Sequence, residues 1–195
     1  MTSTRTRRSP DTRQRILDAA EALVQSRGFN GFSYANVAAE LGITKASLHY
    51  HFPGKAELGE ALIARYASRF AEALEQIDGA VDGERAKLDA YAALYADVLR
   101  GERMCLCGIL AAEYETLPAP MRDAVVGFFD DNEQWLAEML AHGRAGGALS
   151  FEGAPREAAQ TILSGLEGAM LVARPYRDVG RFRAASARLL AGLTS

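Results

Sequence analysis

With 195 residues, of which 49% are apolar, the chain is long enough to bury a core as one large domain or two small ones. It has no run of about 18 apolar residues and no apolar stretch at its N-terminus, so we expect neither a membrane span nor a signal peptide. Its two cysteines do not make a disulfide framework, which favours a reducing cytoplasm as the compartment.

The net charge of -3 conceals an uneven distribution along the chain. Residues 1–55 contain eight basic and four acidic side chains, for a net charge of +4. The remaining residues contain 14 basic and 21 acidic side chains, for a net charge of -7. A basic N-terminal third on an acidic body is typical of a DNA-binding head carried by a domain that does not bind DNA.

The chain begins with an arginine-rich segment, Met1–Arg8, that has no apolar periodicity. Two interpretations of it are open, a solvated tail or an arm that lies along DNA phosphates. A helix-start signal follows at Ser9–Asp11, where proline needs no N–H partner and aspartate suits the positive end of the helix dipole. Leu17 and Leu23 recur on the apolar face of this first helix, and Gly28 marks its end.

The stretch Ser33–Glu57 predicts two short helices joined by a tight turn. Ser33 and Thr44 are suited to capping the two helix starts, because their hydroxyls accept hydrogen bonds from unpaired backbone N–H groups. Gly42 lies between them, where a helix end favours a left-handed residue without a side chain. The second helix stops at Pro53 and presents polar donors on its outer face. This pattern predicts a helix-turn-helix whose second helix contacts DNA.

The segment ITKASLHYHFPGKAEL resembles the recognition-helix signature of the TetR family of bacterial one-component repressors. The upstream segment RILDAAEALVQSRGFNGFSYANVAAELG resembles the first two helices of that family. The matching signature positions are Leu48, Tyr50, His51, Phe52, Lys55 and Leu58, with His49 where the family usually has its first tyrosine. The resemblance implies a DNA-binding transcriptional repressor that binds a pseudo-palindromic operator as a homodimer and is released by a small-molecule effector.

On this interpretation the second helix of the motif enters the major groove of double-stranded operator DNA. The residues expected nearest the base edges, which carry the sequence information, are Lys45, Ala46, Ser47 and His49. Tyr50, His51 and Lys55 are expected mainly to hold phosphates, which set the register. The full set of predicted DNA-binding residues is Ser33, Tyr34, Thr44, Lys45, Ala46, Ser47, His49, Tyr50, His51 and Lys55.

One long helix is predicted over Ala56–Asp78, where apolar residues recur at intervals of four and three, and it forms a strut between head and body. The rest of the chain is predicted as helices only: Glu84–Arg100, Cys105–Leu117, Pro120 to His142, Pro155–Ala173 and a last helix from about Asp178. We therefore predict an all-α fold. A three-helix DNA-binding domain occupies residues 1–55, and a larger helical domain for effector binding and dimerisation occupies residues 56–195.

Aromatic and methionine side chains of the second domain are candidates for an effector cavity, because the resemblance implies an apolar pocket there. Each one alone is better explained as ordinary core. For Glu167, within an apolar helix, a solvated position and a ligand-facing carboxylate are both open. The candidate pocket residues are Tyr66, Phe70, Tyr91, Tyr95, Met104, Cys105, Phe128, Trp135, Met139, Glu167 and Met170. The effector is expected to be largely apolar or electrophilic.

Cys105 and Cys107 are predicted at a helix start, shortly after Arg100 and Arg103. Helix N-terminal N–H groups and nearby cations lower the pKa of a thiol and raise its reactivity. Residues two apart on a helix point in different directions, so if either thiol senses electrophiles we expect it to be Cys105, with Cys107 packed inward. Buried, inert thiols are the favoured interpretation, and a redox role is the alternative.

The resemblance also implies a homodimer in which the last two helices of each subunit form a four-helix bundle across a two-fold axis. Small residues beside larger apolar ones in those helices permit close helix approach. The predicted interface residues are Leu163, Leu166, Met170, Phe182, Leu189 and Leu193.

Motifs for other chemistry are weak. The sequence contains no glycine-rich phosphate loop and no nucleophile elbow. His49 and His51, two apart on a helix, point too far from each other to share a metal ion. We predict no catalytic residue, metal site or cofactor. The alternative function is a helical small-molecule-binding protein or enzyme with a vestigial DNA-binding head.

Overall fold

The computed structural model describes residues 11–193, where nine α-helices and two short 3₁₀ turns make up the regular structure. The helices are α1 Thr12–Arg27, α2 Tyr34–Leu41, α3 Lys45–His51, α4 Lys55–Ala80, α5 Glu84–Arg100, α6 Leu106–Ala111, α7 Ala119–Ala145, α8 Pro155–Ala173 and α9 Val179–Ala191. This range contains no strand, and the all-α prediction is confirmed. The predicted arm Met1–Arg8 and the start signal at Ser9 and Pro10 lie outside the described residues.

Helices α1, α2 and α3 form the head, and local sequence accounts for their ends. The backbone N–H of Ser33 donates to Asn36 Oδ1 at 2.8 Å before α2. Thr44 Oγ1 accepts from the Ser47 N–H at 3.1 Å before α3. Gly42 has φ +64°, a left-handed conformation that costs glycine least. The predicted helix-turn-helix is therefore confirmed.

The core of the head is formed by apolar side chains that recur at helical spacing. It includes Ile16, Leu17, Ala20, Leu23, Val24, Phe29, Phe32, Val37, Leu48 and Phe52. Leu41 packs only partly against this core. At the end of α1, Gly28 has φ +83° and turns the chain so that Phe29 packs back inside.

Helix α4 is the predicted strut, and at 26 residues it is about 39 Å long. Its inner face buries Leu58, Leu62, Tyr66, Phe70, Leu74 and Ile77. On the side towards α1, Arg65 pairs with Asp18 at 2.7 Å and with Glu21 at 2.6 Å. The strut is thus attached to the head by both apolar packing and ion pairs.

Helices α5 to α9 form the body, in which α8 packs between α7 and α9 and the strut packs on α7. The predicted helix Cys105–Leu117 is shorter than expected, because α6 ends at Ala111 and a 3₁₀ turn follows at Tyr114–Thr116. Between them Glu113 leaves the helical path, with φ −108° and ψ 13°. Its carboxylate there accepts a hydrogen bond from the Phe29 N–H of the head.

Most of the predicted dimer-interface residues are buried inside the protomer, which leaves little of their surface for a partner subunit, and their place in an interface stays a prediction. The buried members are Leu163, Leu166, Met170, Phe182 and Leu193. Half-buried Leu189 lies over Gly165, where an added β-carbon would overlap its side chain. The physical reason is that α8 and α9 turn their most apolar faces towards the protomer's own core. The outer face of α8 instead carries Ser164, Gly168, Leu171 and Val172.

None of the helices in residues 11–193 is both long and apolar enough to cross a membrane.

Candidate nucleic-acid interface and ligand cavity

Helix α3 presents polar side chains outwards while Leu48 anchors it in the core of the head. Lys45, Ala46 and His49 are exposed, and Tyr50 is 86% exposed. Ser47 and His51 are half-buried, and Thr44 is exposed at the helix start. The residues predicted to contact base edges therefore lie on the accessible face of one helix.

His49 is held at one of its two ring nitrogens. Its Nδ1 lies 3.0 Å from the carbonyl oxygen of Pro53, and its ring packs against Tyr34 with 4.8 Å between centroids. Because a carbonyl only accepts, Nδ1 carries the proton of this bond. In the neutral ring, Nε2 is then an acceptor available to a base edge.

Tyr34, a predicted DNA contact, directs its hydroxyl into the head. The oxygen lies 2.9 Å from the Phe52 carbonyl and 2.5 Å from the Gly54 carbonyl. Burial, with a smaller contribution from Glu57, raises the pKa of Tyr34 to about 12. The hydroxyl stays protonated and connects the start of α2 to the turn between α3 and α4.

Lys55, predicted to hold phosphate, also has internal partners. Its Nζ donates to the carbonyl oxygens of Phe29 at 2.6 Å and Phe32 at 2.7 Å, and lies 4.5 Å from both ring centroids. Burial lowers the pKa of Lys55, and the charge of Glu113 acts in the opposite direction. Two of its three N–H groups stabilise the head, which leaves one for a phosphate.

An open groove of about 370 Å³ lies between the start of α2 and helix α3. Its lining includes Ser33, Ala35, Lys45 and His49. A lysine and the positive end of the α2 dipole face the same space, an arrangement that favours a phosphate oxygen.

Five of the predicted pocket residues form a packed aromatic cluster in the body. Phe70 is at its centre, with ring centroids 5.2 to 6.2 Å from those of Tyr66, Tyr91, Tyr95 and Phe128. All five side chains are buried. The Tyr91 hydroxyl lies 3.0 Å from that of Tyr95 and 3.2 Å from Asn132 Oδ1, so its polar end has partners inside the cluster.

The other candidate pocket residues lie in different places. Trp135 stacks on Tyr91 and donates through Nε1 to Asp78 at 2.7 Å, and with Met139 it lines a surface hollow. Met104 and Glu167 line a separate apolar cavity between α6, α7 and α8. Cys105 and Met170 are fully buried, and the Met170 sulfur accepts from the Cys105 N–H at 3.3 Å.

The burial of both cysteines agrees with the favoured interpretation of buried thiols and gives no support to a sensor role for Cys105. Both Cys105 and Cys107 are completely buried, and Cys105 is the N-cap of α6, its sulfur accepting from the Gly108 N–H. Burial and the neighbouring Glu167 charge raise the pKa of both thiols. The Gly108 N–H at the start of α6 acts in the opposite direction on the pKa of Cys105, but burial and the Glu167 carboxylate outweigh it.

Glu167 has an unsatisfied buried oxygen. Its Oε1 is inaccessible to solvent and has no hydrogen-bond partner among the described residues, although the side chain as a whole is partly exposed. Burial raises the pKa of Glu167 to about 7, and the nearby Cys105 thiol opposes this as a weak donor. Of the two interpretations open from sequence, the burial of Oε1 favours the ligand-facing carboxylate, which stays a prediction.

The segment around α6 is bonded directly to the end of α1. The backbone N–H of Met104 donates to the Gln25 carbonyl at 3.1 Å, and Gln25 Nε2 donates to the Met104 carbonyl at 2.9 Å. Glu113 Oε2 accepts from the Phe29 N–H at 2.6 Å. Sequence reasoning missed Gln25 and Glu113, since their partners are about 80 residues away and no local pattern marks them.

Among residues 11–193, no group of three or more His, Cys, Asp or Glu side chains is placed to hold a metal ion.

Comparison with known proteins agrees with this arrangement. Residues 16–62 match the family model of bacterial regulatory proteins of the tetR family, and residues 85–189 match that of the tetracyclin repressor-like C-terminal domain. The chain is 28% identical to the transcriptional regulator AcuR of Cereibacter sphaeroides, over 87% of this chain and 81% of that protein. It is also 28% identical to the HTH-type transcriptional repressor NemR of Escherichia coli, over 86% of both. A TetR-family regulator structure from Agrobacterium tumefaciens has a TM-score of 0.90 and 30% identity, covering 94% of this chain and 97% of that one.

Proposed function

From the premise that this chain belongs to the TetR family and is a DNA-binding transcriptional regulator, we propose that it represses transcription from a pseudo-palindromic operator. Two heads of a homodimer bind successive major grooves, and a small molecule in the body releases them. The observation that carries the proposal is helix α3, whose exposed polar face is supported by a buried leucine and capped by Thr44.

The DNA-contacting residues divide by position. Lys45, Ser47 and His49 are the base-reading side chains, because they lie on the outer face of α3 and offer donors or an acceptor to base edges. Tyr50 and the groove beside Ser33 hold phosphates. Tyr34 and Lys55 line the same groove and stabilise it through their bonds to backbone carbonyls, and Lys55 keeps one N–H for a phosphate.

Release follows from the elements shared by head and body. The strut α4 belongs to both, and its tilt sets the spacing between the two heads, which must match half-sites about one turn of DNA apart. A ligand shifts the operator affinity only by its preference between two arrangements, a coupling of about 1–3 kcal/mol. Operator DNA must then weaken effector binding by the same factor.

The test uses the full-length protein and DNA fragments that tile the region upstream of its own gene. Footprinting should reveal one protected pseudo-palindrome. Lys45→Ala should cost about 1–3 kcal/mol on that site and less on scrambled DNA, as expected when a base contact is lost. Tyr50→Ala should weaken binding to both kinds of DNA alike.

Lys87→Ala is the matched control, since Lys87 lies in the body and pairs with Asp78 at 3.0 Å. It should leave DNA affinity unchanged. The proposal fails if no upstream fragment is protected, or if Lys45→Ala and Lys87→Ala bind DNA equally well.

A further inference from the structure

An apolar cavity of about 220 Å³ lies between α6, α7 and α8. Its walls are formed by Met104, Gly108, Ile109, Phe129, Gly168 and Leu171, with alanines completing the α6 side. Two charged side chains, Glu167 and Arg174, also line it. The volume is below the ~300–1,000 Å³ usual for drug-sized ligands, so an occupant has few heavy atoms.

The Glu167 carboxylate is placed against this cavity without a counter-charge. Its Oε1 has no hydrogen-bond partner within residues 11–193, and its Oε2 lies so close to Gly108 that a β-carbon at that position would overlap it. No lysine or arginine of the described residues forms an ion pair with it. Arg174 instead donates to the Ser26 carbonyl of α1.

A buried polar atom without a partner in a native protein calls for an explanation, because its desolvation is not repaid. In its ionised form the carboxyl group only accepts, so the missing partner of that form is a donor. A cationic donor also neutralises the charge of the Glu167 carboxylate, whereas an anion would be repelled by that charge. The remaining walls require the rest of that molecule to be apolar.

We propose that this cavity binds a small apolar amine, whose ammonium group donates to the Glu167 carboxylate while its hydrocarbon part contacts Met104, Ile109 and Phe129. The inference rests on the proposed function, in which a small molecule in the body releases the DNA. It names the chemical class of that effector.

The cavity is placed for such control, because two of its lining residues are bonded to α1. Met104 exchanges two hydrogen bonds with Gln25, and Arg174 donates to the Ser26 carbonyl. An occupant that displaces either residue therefore acts directly on the last turn of the first head helix.

The test is calorimetric titration of the full-length protein, without DNA, with linear alkylamines from propylamine to octylamine. Alcohols and carboxylates of matched length serve as neutral and anionic probes. At least one amine should bind tenfold or more tightly than its alcohol, and the carboxylates should bind most weakly. Equal binding of all three classes, or no binding by any amine, would overturn the proposal.

Glu167→Gln keeps the shape of the side chain and removes its charge. It should weaken amine binding roughly tenfold to hundredfold, the range expected for a hydrogen bond to a charged group, and leave alcohol binding unchanged. Glu115→Gln, which replaces an exposed carboxylate, should change neither amine binding nor alcohol binding. Amine affinity that is unchanged in Glu167→Gln would overturn the assignment of this residue.

Footprinting on upstream DNA separates this inference from the proposed function. The amine should release wild-type protein from DNA and leave Glu167→Gln bound. Glu167-dependent amine binding without release overturns the effector role of the cavity. A protein that binds amine in this way but no upstream DNA overturns the proposed function and leaves the binding site supported.

Discussion

Glu21 and Glu167 are both poorly accessible carboxylates, and they differ in how their charge is neutralised. The Glu21 side chain is 9% exposed and is paired with Arg65 at 2.6 Å and Arg69 at 3.2 Å. In the part of the chain that the structure describes, Glu167 forms no ion pair. The Glu21 carboxylate connects the head to the strut. The buried Glu167 carboxylate instead lowers the stability of the folded protein, and such groups are typical of functional sites.

The first prediction concerns the pH dependence that Glu167 imposes on stability. Burial raises its folded pKa to about 7 from an ordinary value of 4.5, so between these values the folded state binds more protons than the unfolded state. The stabilising effect is present below the unfolded pKa and is lost as pH rises through about 7. Glu167→Gln should therefore gain stability relative to wild type as pH rises from about 5 to about 8, measured by urea unfolding. If Glu167→Gln gained stability relative to wild type as pH fell instead, this assignment would be contradicted.

The second prediction concerns the ion pairs of Glu21. Arg65 is 14% exposed and Arg69 is 51% exposed, although both contact the same carboxylate. Arg65→Ala should lower the free energy of unfolding by about 3 kcal/mol, because it leaves a buried charge poorly compensated. Arg69→Ala, the matched control, should lower it by less than about 1 kcal/mol. Equal losses in urea denaturation would show that burial does not distinguish the two pairs.

At the scale of elements, the segment Met104–Thr116 lies between the cavity and the head. Its first residue exchanges hydrogen bonds with Gln25, and near its other end Glu113 accepts from Phe29 and Asn30. Thr116 Oγ1 also accepts from Asn30 Nδ2 at 2.8 Å. A shift of α6 thus reaches the turn between α1 and α2 without passing through the strut, giving the body a second physical connection to the DNA-binding helices.

The third prediction tests this connection. Glu113→Ala removes the acceptor for the Phe29 and Asn30 amides, so both should exchange with solvent deuterium several-fold faster, as expected when a local opening becomes less costly. Hydrogen-exchange mass spectrometry of the full chain would measure it. Glu115→Ala, two residues away and exposed, should leave these amides unchanged. Equal protection in both variants would show that Glu113 does not hold the turn.

At the scale of the whole molecule, regulators of this family form dimers, and the outer face of α8 is the candidate surface. Leu171 and Val172 are 61% and 57% exposed there, close to the small residues Ser164 and Gly168. Gly168 and Leu171 also line the cavity beside Glu167, so a dimer formed on this face would border that cavity. Small residues permit close helix approach, and exposed apolar ones gain from burial. The dimer surface that we propose is therefore the opposite face of α8 from the one predicted by sequence.

The fourth prediction places a charge on that surface. Val172→Glu should raise the dimer dissociation constant roughly tenfold or more, because the symmetric interface would bury two like charges. Val126→Glu is the matched control, since Val126 is a 45% exposed valine on α7. Analytical ultracentrifugation over a concentration series would compare them. Identical dissociation constants would exclude Val172 from the interface.

Local sequence by itself determined the helices, the head and its family. The cap at Thr44, the left-handed turn at Gly42 and the apolar spacing along α4 depend on residues within one or two helical turns, so their patterns can be read directly. The recognition helix could be predicted for the same reason, since one leucine anchors it in the core and polar residues cover its exposed face. These features need no knowledge of which helices meet.

Only the tertiary structure decided the environment of each functional side chain. Burial, followed by the charge of Glu167, which is 62 positions later in the sequence, raises the pKa of Cys105. Lys55 donates to carbonyls of a turn more than 20 residues earlier. Leu166 faces the core of its own protomer, although the sequence predicted it at an interface between subunits. Burial, pKa and partner choice depend on distances between elements remote in sequence, and helical periodicity specifies a face without specifying what covers it.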